Sequence, residues 1–127
     1  FCRLGLLPDT GGTYALPRLV GSARAMGMAL LGEKLSARKA EQWGLIWECV
    51  ADDAFDERLN ALAQHFSTAP TKGLAAAKQA LNQSLSNTLA EQLNLERDLM
   101  RELGYSDDYA EGVAAFMEKR SPVFKGR

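Results

Sequence analysis

Residues 88–104 read TLAEQLNLERDLMRELG, and their pattern decides the fold class. Thr88 and Glu91 have the T-x-x-E spacing of a capping box, in which a hydroxyl and a carboxylate satisfy otherwise orphaned N–H groups at a helix start. Leu89, Leu93, Leu99, Met100 and Leu103 recur at helical intervals, and Gly104 follows as a stop. The longest helix is therefore predicted from Thr88. Downstream, Ser106 precedes Asp107 and Asp108, acidic residues that complement the helix dipole in a first turn. Tyr109, Val113, Phe116 and Met117 repeat at i, i+4, i+7, i+8, Lys119 and Arg120 suit the C-terminal end, and Pro122 stops the helix.

Upstream the same periodicity dominates. Ala23, Met26, Gly27, Leu30 and Leu31 form one apolar face ending at Gly32. Ser36 can cap a short helix through Ala40 and Trp43, with Gly44 after it. Asp52 and Asp53 offer an N-cap for a helix facing inward with Phe55, Leu59, Leu62 and Phe66. Pro70 opens another, with Leu74, Ala77, Leu81 and Leu85 on its inner face. Only Leu45 to Val50, short, apolar and partly β-branched, reads as a candidate strand. The fold class is mostly α.

The chain has 127 residues, 46% hydrophobic and 24% charged, with a formal net charge of -1, which predicts one globular domain around a single core. Balanced charge gives no reason to expect nucleic acid or an anionic membrane as partner. Two cysteines, Cys2 and Cys49, are too few for a disulfide framework and read as small buried thiols of a reducing, cytoplasmic compartment. No apolar run approaches a membrane span and no signal peptide is visible. The opening FCRLGLLP, without Met and apolar at once, reads as the interior of a longer chain, whereas residues 121–127 read as a natural domain end.

The densest group of unusual residues is GLLPDTGGTY, Gly5 to Tyr14. Pro8 biases Leu7 towards extended backbone, and the Gly11–Gly12 pair permits a sharp turn or a close approach. Three readings are open from spacing alone: Asp9 or Thr10 as an N-cap, Asp9 as a catalytic carboxylate facing a cleft, or phosphate cradled by the glycines. Neither a P-loop nor a Rossmann fingerprint is present. His65 is the only histidine and has no acidic or thiol cluster beside it, so neither a triad nor a metal site is indicated and a helix-surface role is expected. Trp43 and Trp47 read as core anchors, with Trp47 a possible border of a pocket.

Residues 1–19, FCRLGLLPDTGGTYALPRL, resemble the stretch that enters the second half of the crotonase superfamily, the enoyl-CoA hydratases and isomerases. GEKLSA from Gly32, with Ala40 and Gly44-Leu45-Ile46, is similar to that family's next signature. Residues 111–116, EGVAAF, with Glu118-Lys119-Arg120, Pro122 and Phe124, resemble its C-terminal signature. The motifs stand in family order across the whole chain. PDTGGT and Gly44 to Trp47 most resemble the isomerases of phenylacetate and aromatic catabolism.

The resemblance implies the C-terminal helical half of a crotonase-like α/β fold, with the β-spiral half absent. It divides the chain into residues 1–86, the later part of the core, and 87–127, a helical segment for oligomerisation and CoA contact. It implies a cytoplasmic CoA-thioester enzyme whose two oxyanion donors lie upstream, so that the chain alone is inactive. Asp9 matches the position where isomerases carry a catalytic aspartate that moves a proton between carbons of the acyl chain. Lys119 matches a contact to the CoA phosphates or adenine, against an alternative as a solvated helix-end cation. Met100 matches an adenine-side position that is often aromatic in the family, against an alternative as core packing. The implied partners are the acyl-CoA substrate and further copies of the chain, as a trimer or hexamer, with neither nucleic acid nor membrane. No separate cofactor and no metal are expected, because coenzyme A is part of the substrate. Plain enoyl-CoA hydration and a helical interaction module without catalysis are the competing readings.

Overall fold

The computed structural model describes all residues, 1–127. Seven α-helices follow in order: α1 (Gly12–Val20), α2 (Ser22–Leu31), α3 (Ala37–Gln42), α4 (Phe55–Thr68), α5 (Thr71–Gln83), α6 (Leu89–Leu103) and α7 (Asp107–Glu118). Short 3-10 turns occupy Cys2–Leu4 and Asp52–Ala54. There is no strand. The extended reading of Leu45 to Val50 is corrected: the segment makes no ladder, and its backbone is tied instead by the Cys49 N–H donating to Glu41 Oε1 at 2.9 Å.

Local capping chemistry sets most boundaries. The Thr88 box is complete, with the Glu91 N–H donating to Thr88 Oγ1 at 3.3 Å and the Thr88 N–H donating to Glu91 Oε2 at 2.7 Å. The backbone N–H and then the hydroxyl of Thr88 hold the Glu91 carboxyl below its ordinary range. Ser36 and Ser106 cap α3 and α7 through the same three-residue geometry. Asp52 and Asp53 do not cap α4. They form the 3-10 turn that runs into it, and Ala51 stands at the start of that turn without a side-chain bond. Pro17 lies inside α1, which continues through it to Val20.

Two compact units divide at residue 55, one from Phe1 to Phe55 and one from Asp56 to Arg127. In the first, α1 packs against α2, with Val20, Ala25 and Ala40 buried. In the second, α5 packs against α6, and Ala115 is the buried apolar residue. The expectation of one domain with a single core is thereby corrected. A compact monomer of 13.9 kDa exposes about 6,700 Å2, yet this chain exposes 10032 Å2. The helical faces read as inward lie open: Leu81 and Met100 are 70% and 69% exposed. Trp47 is exposed rather than a core anchor, and Cys2 and Cys49 are half-buried. No helix is long and apolar enough to cross a membrane.

Candidate functional site

The loop before α1 is built from two tight turns. The Leu4 and Leu6 N–H groups both donate to the Phe1 carbonyl, and Gly5 closes the 3-10 turn in the left-handed region at φ 73°. Then the Gly12 N–H donates to the Asp9 carbonyl at 2.8 Å across Thr10 and Gly11, whose φ angles are 52° and 85°. Two positive φ values in the centre of a hydrogen-bonded turn define type I′. Gly11 adopts this freely. Thr10 does not, because its branched Cβ crowds the backbone there, and such a residue stores about 1–3 kcal/mol. A Cβ on Gly12 would lie 3.1 Å from Pro8 Cβ, a tight contact that Pro8 would have to ease by a few tenths of an ångström.

Asp9 sits at the first corner of this turn. An open cavity of about 490 Å3 is lined by Phe1, Gly5, Leu6, Leu7 and Asp9, so the single carboxylate stands among apolar neighbours. The Thr10 hydroxyl donates to Asp9 Oδ1 at 3.2 Å. The N-cap of α1 is Gly11, with no side-chain bond to the helix. Neither Asp9 nor Thr10 caps α1 through its side chain, so the capping reading of this pair is corrected. Pro8 and Thr13 also border a second groove of about 280 Å3 between α1 and α2, walled by Leu16, Pro17, Met26 and Leu30.

The other two candidate residues lie in the second unit. Met100 borders a groove of about 280 Å3 along α5 and α6, with Ala76, Ala77 and Leu99. Lys119 is the C-cap of α7 in the left-handed conformation, φ 54°, and is exposed. Met100 and Lys119 share none of the described grooves. His65 lies on α4, edge-on to Phe66 at 5.2 Å. No group of three His, Cys, Asp or Glu residues could hold a metal ion.

Two acidic residues, one read from sequence as a first-turn dipole partner and the other as part of a motif, prove to be anchors. Asp108 is buried, and its carboxylate accepts from the Lys125 and Gly126 N–H groups at 2.6 and 2.8 Å, while its own N–H donates to the Arg127 carbonyl. Glu111 accepts from Arg120 at 2.5 and 2.9 Å and from the Val123 N–H at 2.8 Å. The Arg120 guanidinium, aided by the Val123 N–H, holds the Glu111 carboxyl down at about 2. Hydrogen bonds to Glu111 and then to Glu118 push Arg120 above its already high ordinary value. Together they fold residues 121–127 back along α7, where Phe124 packs against Gly112 and helps to wall a groove of about 380 Å3. The only sequence signal for this was the clustering of acids in the first two turns of α7.

The chain is 54% identical over 127 residues to the 1,2-epoxyphenylacetyl-CoA isomerase of Escherichia coli (strain K12), covering 100% of this chain and 48% of that protein. It is equally, 54%, identical to a Rhodobacter capsulatus protein named "probable enoyl-CoA hydratase", covering 49% of it. The enoyl-CoA hydratase structure from Bacillus anthracis superposes with a TM-score of 0.92 at 30% identity, over 99% of this chain and 49% of that one. The chain thus spans about half the length of the curated relatives it matches. The fold class expected from sequence, mostly α as the C-terminal helical half, is corrected on two counts. The chain is all-helical without the candidate strand, and the comparisons set it against the N-terminal region of its relatives rather than their C-terminal helical half. The family model for enoyl-CoA hydratase/isomerase matches residues 1–127 throughout, and the chain belongs to that family.

Proposed function

We propose that the whole protein carrying this chain shifts a double bond in an acyl-CoA thioester, with Asp9 as the proton base. The observation that carries this reading is the uncapped carboxylate of Asp9 among the apolar walls of Phe1, Leu6 and Leu7. An apolar acyl chain suits those walls, and a carboxylate at neutral pH can take a proton from one carbon of it. The electron pair left behind moves through the conjugated system to the thioester oxygen, giving an enolate. Backbone N–H donors of the whole protein hold that oxygen as its charge develops. The protonated Asp9 then returns its proton to a different carbon, the double bond reforms one position along, and composition is unchanged.

In this reading residues 1–86 carry the base and residues 87–127 the CoA contacts, Lys119 towards phosphate and Met100 towards the adenine. The substrate is an acyl-CoA of the aromatic kind named for the E. coli relative, coenzyme A arrives as part of it, and the working state is a cytoplasmic homo-oligomer. Hydration is the second reading, favoured by the equal identity to the protein named as a hydratase. Hydration adds water and consumes conjugation, whereas isomerisation of a cis-3-enoyl-CoA creates it, so product chromatography separates the two.

Asp9→Asn tests the proposal in the whole protein. The amide is nearly isosteric and cannot act as a base at neutral pH. Isomerisation should fall at least ~10²-fold, the lower end for a general base, while Tm stays put because no cap is lost. Wild-type isomerisation by the Asn variant would assign the proton to another residue.

A further inference from the structure

We infer that Thr10 is a positioning residue for Asp9: its hydroxyl, carried on a strained left-handed backbone, fixes the carboxylate so that one oxygen remains free to take the proton. The inference rests on the reading of Asp9 as the base.

Three observations converge on it. Thr10 is one of only two non-glycine residues with positive φ, and the other, Lys119, closes a helix. A β-branched residue is the least suited to φ 52°, and Gly11 beside it shows that the turn accepts glycine. A threonine at this corner therefore costs stability that a glycine would not. Strain of this kind persists where the side chain contributes something the backbone alone cannot. The side chain makes one hydrogen bond, the donation from Oγ1 to Asp9 Oδ1 at 3.2 Å. The Gly12 N–H to Asp9 carbonyl bond fixes the backbone of the same residue. Asp9 is thus held at both its main chain and one carboxylate oxygen, Oδ1, and the Thr10 hydroxyl leaves Oδ2 free.

An exposed carboxylate otherwise rotates about its side-chain torsions, and each misdirected rotamer removes it from reach of the carbon acid. Misplacement by about 1 Å at a reacting group costs on the order of 10²-fold in rate. Loss of one charge-assisted hydrogen bond, with backbone constraints kept, should cost about tenfold. Because the hydroxyl acts through the base, to which it donates, the loss belongs in kcat.

Four variants of the whole protein test this, assayed by conversion of a cis-3-enoyl-CoA to its conjugated isomer. Thr10→Val keeps shape and strain without the donor, so kcat should fall about tenfold with KM within about twofold and Tm unchanged. Thr10→Gly relieves the strain, so Tm should rise while kcat falls at least as far. Thr10→Ser restores the donor and should recover kcat to within about threefold of wild type. Asp9→Asn runs beside them. Wild-type kcat in the Val and Gly variants, with the Asn variant inactive, would overturn the role of Thr10 and leave Asp9 as the base. A serine variant as slow as the valine variant would also overturn it, since the hydroxyl would then not be the cause. A fully active Asn variant would overturn both assignments.

Discussion

Replacing Asp108 by Ala removes the acceptor that holds the C-terminal tail. The carboxylate takes two N–H donors, from Lys125 at 2.6 Å and Gly126 at 2.8 Å, and is itself buried. Hydrogen bonds to a charged group contribute about 1.5–3 kcal/mol each, so the gross loss is about 3–6 kcal/mol. Lys125 is exposed and Gly126 half-buried, so water re-solvates much of what is freed. The net destabilisation of the second unit should be about 2–3 kcal/mol, and Asp108→Asn, which keeps one acceptor oxygen, should lose about half of that. Urea denaturation followed by helical circular dichroism gives the free energy, and amide exchange at residues 125 and 126 gives the location. An alanine variant within ~0.5 kcal/mol of wild type, with both amides still protected, would refute the latch.

Two further perturbations probe the other polar anchors. Thr88→Ala should cost ~1 kcal/mol and fray the first turn of α6, seen as faster exchange at the Glu91 amide. Acid should release the Val123 end of the tail: Glu111 is depressed from 4.5 to about 2, so its contribution is complete above 4.5 and is lost as pH falls towards 2, with Val123 exchange accelerating across that window.

Capping was legible because it is local chemistry. Ser36, Thr88 and Ser106 each need only a donor three residues on, and all three boundaries fall where that spacing puts them. The motif order that carried the family was legible for a similar reason, as runs of adjacent residues. Leu45 to Val50 misled because β-branching favours a strand only when another strand pairs with it, and pairing is not written in six residues. Asp108 misled for the opposite reason. Its partners lie 17 and 18 residues away, so a first-turn acid looked like a dipole effect alone. At Asp9 the residue type and neighbourhood were visible, but not the positive φ at Thr10 that accompanies a cap at Gly11 and leaves the carboxylate without a bond to the helix.

The surplus of exposed surface has a thermodynamic signature. An unfolded chain of this mass exposes about 20,200 Å2, so unfolding from 10032 Å2 uncovers about 10,100 Å2, against about 13,500 Å2 for a compact chain of equal size. Denaturant slope and heat-capacity increment both scale with that difference. For this chain as a monomer each should be about three quarters of the compact value, giving broad, shallow transitions whose steepness returns only when the open helical faces are covered.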